Sequence, residues 1–306
     1  MPDILHLLTI KASPERVYQA LSTAEGIRNW WTREAELEPR IGGKGEFRFY
    51  EGKGVTEVRV DALEPPVRLG WTVTASNAPG GWEGTTITFD LASKGGDTVL
   101  SFAQRGFKQA DEGYALVTTG WAYYLVSLQQ YLERGKGTPQ QDKDFAILAA
   151  SRADGPRPRQ AAEEIRHELA IKAAPATLYE ALTDVKKLGQ WWIPDTRGES
   201  KTGKTLEFWF GEQSCQAMQV ASLEADRLVR WKPTEKGMSD WRGTEIEFAI
   251  SPKNDGSILH FRHSKWRDSE GCFAYCSLSW AVFLLSLKDL LEKGRGHPFP
   301  NEWIGQ

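Results

Sequence analysis

Ile10-Lys-Ala-Ser-Pro-Glu-Arg-Val-Tyr-Gln-Ala-Leu21 and Ile171-Lys-Ala-Ala-Pro-Ala-Thr-Leu-Tyr-Glu-Ala-Leu182 are one stretch written twice in a single chain. Further along, Trp30-Trp31 and Trp191-Trp192 keep the same offset. After a deletion of two residues, Trp82-x-Gly-Thr-x-Ile-x-Phe89 matches Trp241-x-Gly-Thr-x-Ile-x-Phe248. The closing Leu132-Glu-Arg-Gly-Lys-Gly-Thr-Pro139 matches Leu291-Glu-Lys-Gly-Arg-Gly-His-Pro298. The period far exceeds the roughly 20–50 residues of a solenoid repeat, whose units cannot fold alone. A duplication of a whole domain is the remaining reading. The expected boundaries are 1–149 for the first domain, 150–162 for a linker rich in Pro, Gly and charge, and 163–306 for the second.

Each copy opens on a strand in which Ile4, His6, Leu8 and Ile10, or Ile165, His167, Leu169 and Ile171, share one face. Ser13 stands where it caps a short helix whose first residue is Pro14. Ala174 in the second copy predicts a cap weaker by roughly 1 kcal/mol. A second short helix leads to the Trp-Trp pair. Alternating segments follow at 46–50, 56–63, 68–74, 85–91 and 98–104, separated by Gly, Pro, Asn and Asp punctuation. The last element is a helix over 112–133 with an apolar stripe of Tyr114, Val117, Trp121, Tyr124, Leu125, Leu128 and Leu132, and the Gly-Lys/Arg-Gly run after it reads as a C-cap. The fold class is therefore α+β: about six antiparallel strands curved around one long C-terminal helix, with two short helices, in two tandem copies.

The pattern Ile-x-Ala-x-Pro-x-x-Val/Leu-Tyr-x-Ala-Leu, the Trp-Trp pair, the Trp-x-Gly-Thr segment and the terminal helix together resemble the activator of Hsp90 ATPase homologue 1-like family. That family lies within the START-like, Bet v 1-like (SRPBCC, polyketide-cyclase-like) superfamily of helix-grip folds. The resemblance implies a cavity between sheet and helix. For activity it implies hydrophobic-ligand carriage, cyclase-type chemistry, stress response or co-chaperone work.

Composition narrows the partners. The 306 residues are 40% hydrophobic and 26% charged, with a net charge of −3, which gives no pull toward nucleic acid. No signal peptide and no stretch approaching 18 uncharged apolar residues is read, so no membrane span is expected. Three cysteines, Cys215, Cys272 and Cys276, an odd number without a framework, point to a reducing cytoplasm.

Strand parity turns Gln104 in the first copy and His263 in the second toward the interior. The candidate ligand-binding set is Trp71, Trp82, Trp121 and Gln104, with Trp231, Trp241, Phe261, Trp280 and His263. A plain-core role for these aromatics, and a role for each lone histidine in satisfying a buried backbone group, stand beside that reading. His260 and His263 lie three apart on a strand and face opposite ways, so no metal site with Cys272 and Cys276 is expected. No phosphate loop, nucleophile elbow or His-Glu-x-x-His pattern appears, and no catalytic residue or cofactor is assigned. Trp209 alternates with Phe208 and Phe210 and should face outward, toward the domain interface.

Three readings follow: a non-enzymatic carrier of an apolar small molecule, a co-chaperone-like or stress-response interaction module, and a cyclase- or hydrolase-type enzyme using His263 or Gln104. The carrier requires an enclosed cavity of a few hundred Å³, whereas the interaction module requires a filled core. Because Gln104 and His263 differ between copies, as do Glu83 and Arg242, at most one copy, the second, is expected to retain a ligand site. The copies are also expected to pack on each other about a pseudo-two-fold axis.

Overall fold

The computed structural model describes residues 3–139, 163–212 and 214–300. The chain forms two compact units, Met1–Pro158 and Arg159–Gln306. The expected linker at 150–162 lies outside the described residues.

In the first unit β1 (Ile4–Ile10) leads into α1 (Pro14–Ser22) and α2 (Ala24–Arg28). The strands β2 (Glu34–Leu37), β3 (Lys44–Phe49), β4 (Gly54–Glu64), β5 (Arg68–Ser76), β6 (Thr86–Lys94) and β7 (Asp97–Arg105) come next, and α3 (Glu112–Arg134) closes the unit. The second unit repeats this with β8 (Ile165–Ile171), α4 (Pro175–Thr183), α5 (Val185–Trp191), β9 (Asp195–Gly198), β10 (Thr205–Trp209), β11 (Cys215–Glu224), β12 (Leu228–Pro233), β13 (Glu245–Lys253), β14 (Gly256–Ser264) and α6 (Phe273–Lys293). Every pairing is antiparallel, in the order β1-β7-β6-β5-β4-β3-β2 and its counterpart β8-β14-β13-β12-β11-β10-β9. The first strand thus pairs with the last, and each unit is a helix-grip fold.

Each sheet has seven strands where about six were expected. The additional one is β2 or β9. β2 reads Glu-Ala-Glu-Leu, an alternation of only two apolar residues of which Ala35 alone is buried, and β9 reads Asp-Thr-Arg-Gly, so neither carries an alternation long enough to mark a strand. The expected difference in helix caps is also corrected. Neither Ser13 nor Ala174 makes a side-chain cap hydrogen bond. Caps do form at α2, α3 and α5, where Thr23, Asp111 and Asp184 accept from Gly26, Tyr114 and Lys187 backbone N–H groups. Helix α6 is long and apolar enough to cross a membrane by length and composition, with a mean hydropathy of 1.3 over an 18-residue window, and half of that window is buried. Its stripe of Trp280, Leu284 and Leu287 is buried within the unit.

The long helix is held at both ends. His6 on β1 donates from Nε2 to the Thr118 carbonyl of α3 (3.0 Å), and His167 meets the Ser277 carbonyl of α6 in the same way (2.9 Å). These lone histidines tie the first strand to the helix. At the other end Gly135 and Gly294 terminate the helices at φ 80° and 78°. The strap that follows is fixed by one hydroxyl per unit. Ser127 Oγ donates to the Trp30 carbonyl and accepts from Thr138 N–H, while Ser286 Oγ joins the Trp191 carbonyl to His297 N–H. Gly137 and Gly296 lie so close to the Trp-Trp turn that a Cβ there would be driven into the carbonyl of Asn29 or Gln190. Gly296→Ala is therefore expected to cost the second unit about 1–3 kcal/mol. A urea titration checks this, and an unchanged midpoint would mean that the strap is not tightly held.

Candidate functional site

The residues nominated from strand parity come together between sheet and helix in both units, around one indole that the nomination omitted. In the first unit Trp31, just beyond α2, lies 4.9 Å from Trp121, 6.1 Å from Trp71 and 4.6 Å from Phe47, centroid to centroid. Trp121 in turn stacks at 5.8 Å on Trp82 and leans at 4.5 Å on Phe102. In the second unit Trp192 meets Trp280 at 4.9 Å, Trp231 at 5.8 Å and Phe208 at 4.2 Å. Trp280 meets Trp241 at 5.8 Å and Phe261 at 4.7 Å. These are contact separations for aromatic rings. The rings pack on one another between sheet and helix.

The polar centre is built by register. Gln104 sits between Ile4 and Ile87, and His263 occupies the equivalent place between Ile165 and Ile246. Both are fully buried. Trp121 Nε1 donates to Gln104 Oε1 (2.6 Å), Gln104 Nε2 donates to Thr85 Oγ1 (2.9 Å), and Thr85 Oγ1 donates to the Trp82 carbonyl (2.6 Å). In the second unit Trp280 Nε1 donates to His263 Nδ1 (3.2 Å), His263 Nε2 joins Thr244 Oγ1 (2.8 Å), and Thr244 Oγ1 donates to the Trp241 carbonyl (2.7 Å). An indole N–H can only donate, so Nδ1 must be the acceptor and Nε2 carries the proton. Neutral histidine then presents the same acceptor–donor pair as glutamine. The difference between copies thus preserves one hydrogen-bond relay, and it does not by itself separate a binding copy from a silent one. Glu83 and Arg242 are exposed and stand outside this interior, Arg242 pairing with Glu235 at 3.2 Å.

Burial lowers the His263 pKa to about 3 and the His6 pKa to about 4, because the imidazolium has no water to solvate it. Protonation of His263 would also place an N–H against the Trp280 N–H. Thr85 and Thr244 close the Trp-x-Gly-Thr motif, whose spacing alone assigns them no role. Their signal was the identity of the motif in both copies. Trp71 Nε1 and Trp231 Nε1, equivalent residues, are buried without an acceptor among the described residues, as is Trp82 Nε1 in the first unit.

Outside the interior, His260 faces the opposite side from His263, with Nδ1 3.2 Å from Glu168. Trp209 lies on the outer sheet face with Arg197 and Lys236 over its ring at 5.0 and 4.6 Å. A groove of about 330 Å³ runs beside α1, α2 and the end of α3, lined by Arg16, Gln19, Thr23, Glu25 and Tyr131. It is open and polar.

The profile of the family described as activator of Hsp90 ATPase homolog 1-like protein matches residues 11–133 and again 172–292. Comparison with curated proteins gives no match. Among solved structures, the chain is similar to the Aha1 dimer from Colwellia psychrerythraea at 36% identity, over 44% of this chain and 98% of that one, with a TM-score of 0.41. It is also similar to DynU16, a putative protein in the dynemicin biosynthetic locus, at 16% identity over 96% and 100% of the two chains (TM-score 0.39). A Bacillus halodurans protein aligns at 25% identity over 44% and 98%, with a TM-score of 0.36.

The relay makes a paired prediction. His263→Gln should stay within about 1 kcal/mol of the parent, whereas His263→Leu strands a buried indole N–H and a hydroxyl and should cost about 3 kcal/mol. The parent should also lose stability as pH falls. Both histidines have pKa values of about 4 and 3 in the folded chain and near 6.5 unfolded, so the unfolded state takes up more protons below pH 6.5. Between pH 6.5 and 5, His263 alone should remove about 2 kcal/mol from the second unit, and His263→Gln should abolish that part. Urea titrations at pH 7.5 and 5.0 check both. Equal pH dependence in parent and His263→Gln would contradict the assignment.

Proposed function

Because the chain belongs to the activator of Hsp90 ATPase homolog 1-like family, we propose that its units are protein-interaction modules working through their outer surfaces. The partner class is a chaperone ATPase of the Hsp90 kind. The observation that carries this reading is the ring-on-ring filling of the space between sheet and helix, with its polar centre closed by the Trp–Gln/His–Thr relay. An interior occupied by its own side chains leaves the surface to do the work. The relay also counts against cavity chemistry. Both nitrogens of His263 are engaged, and a pKa lowered to about 3 keeps it far from the range a general base needs at neutral pH. Free thiols at Cys215, Cys272 and Cys276 agree with work in a reducing cytoplasm.

A second reading, carriage of a small apolar molecule, is favoured by one observation, the open indole N–H of Trp71 and Trp231. A carbonyl-bearing guest would supply the missing acceptor, and so would one buried water.

Adding the full chain to a purified Hsp90-class ATPase, with steady-state ATP turnover as readout, tests the leading reading. Turnover is expected to rise several-fold, and His263→Gln should leave the rise intact. Unchanged turnover, with no complex in sedimentation velocity, would overturn it.

A further inference from the structure

Cys272 and Cys276 stand one turn apart where α6 begins, and their sulfurs are 3.5 Å apart. Cys272 is the N-cap residue and is partly exposed, while Cys276 is buried. The turn between them is helical, since Cys276 N–H donates to the Cys272 carbonyl at 2.8 Å. A four-residue helical step separates Cα atoms by roughly 6 Å, within the span a disulfide bridges. The corresponding positions of the first unit are Gly113 and Val117, so the pair belongs to the second unit alone.

From this geometry we infer that Cys272 and Cys276 form an oxidation site, in which Cys272 attacks a hydroperoxide and Cys276 resolves the product to a disulfide.

The two thiols are set up for unequal roles. Cys276 donates its S–H to Cys272 Sγ. That hydrogen bond is the largest cause holding the Cys272 thiol below its ordinary range, against partial burial and the nearby Asp240 carboxylate. The same bond, together with burial, pushes the Cys276 thiol up. The start of α6 adds a positive dipole end next to Cys272. The nucleophile is thus the partly exposed sulfur, and the proton stays on the buried one. Cys215 serves as an internal contrast, because burial raises its thiol and it has no sulfur partner.

In the first step the Cys272 thiolate sulfur bonds to the terminal peroxide oxygen. The O–O bond breaks, and the departing alkoxide or hydroxide takes up the proton released when Cys272 ionised. Cys272 is then a sulfenic acid. In the second step the Cys276 sulfur attacks that sulfur as the S–O bond breaks, and its proton leaves with the hydroxyl as water. Two thiols are oxidised by two electrons, and one hydroperoxide is reduced to an alcohol, or to water when the oxidant is hydrogen peroxide.

The reaction reports to the interior. Trp241 Nε1 donates to Cys276 Sγ at 3.3 Å, and the Trp241 ring stacks on Trp280 at 5.8 Å and meets His263 edge-on at 4.8 Å. Closing the sulfurs from 3.5 Å to about 2 Å draws Cys276 Sγ away from that indole. In the first unit, where Val117 stands at the position of Cys276, Trp82 Nε1 has no acceptor among the described residues.

The full chain, reduced and then exposed to a small excess of hydrogen peroxide, is alkylated under denaturing conditions and weighed intact. The expected product takes up one alkyl group where the reduced chain takes up three, and dithiothreitol restores all three. Its tryptic fragment 268–288 should be lighter by two hydrogens. Cys276→Ser, which keeps an acceptor for Trp241, should instead trap a dimedone-reactive sulfenic acid at Cys272. Cys272→Ser should keep both remaining thiols. Oxidation of Cys215 ahead of the pair, a dimer linked through Cys272, or survival of all three thiols under these conditions would overturn the proposal.

Discussion

The indole of the long helix, Trp121 or Trp280, is the contact on which each unit depends. It leaves the helix in the middle of the apolar stripe, meets the Trp-Trp turn on one flank and the last strand on another, and donates its N–H to that strand's inward polar residue. Stranding this indole N–H would cost roughly 1–3 kcal/mol, a penalty that a rightly placed acceptor on the last strand removes. That requirement fixes the register of β7 or β14 at Gln104 or His263. It also fixes the loop before β6 or β13, whose Thr85 or Thr244 completes the relay. One donor thus joins helix, last strand and loop.

This explains how the copies could diverge so far while keeping one architecture. Glutamine and a neutral histidine offer the same acceptor and donor, provided the imidazole stays unprotonated, and burial ensures that. The first strands add a second tie through His6 and His167, and the serine straps add a third. Each tie joins elements distant in sequence. The grip of sheet on helix therefore comes from a few directional bonds laid over a large apolar contact.

Much of this was legible in the residues. The alternation in Ile4–Ile10, the helical stripe through Trp121 and the turn glycines each report local geometry, and parity correctly turned Gln104 and His263 inward. Strand β2 was not legible, because Glu-Ala-Glu-Leu offers only two alternating apolar residues, too short a run to mark a strand. The larger gap concerned the interior. Parity says which way a side chain points but not whether what it points at is another side chain, and Trp31 and Trp192, which occupy the centre, come from a turn that has no parity. The Cys272–Cys276 pair was readable as a helical spacing, but the direction of its hydrogen bond and its contact with Trp241 were not.

The central claim is that the space beneath the long helix is filled by the protein itself. Native mass spectrometry of the freshly purified chain, followed by denaturing extraction, tests it most directly. The account predicts the bare mass of the 306-residue chain and no apolar compound in the extract. A stoichiometric apolar adduct that is lost on Trp231→Phe would contradict it.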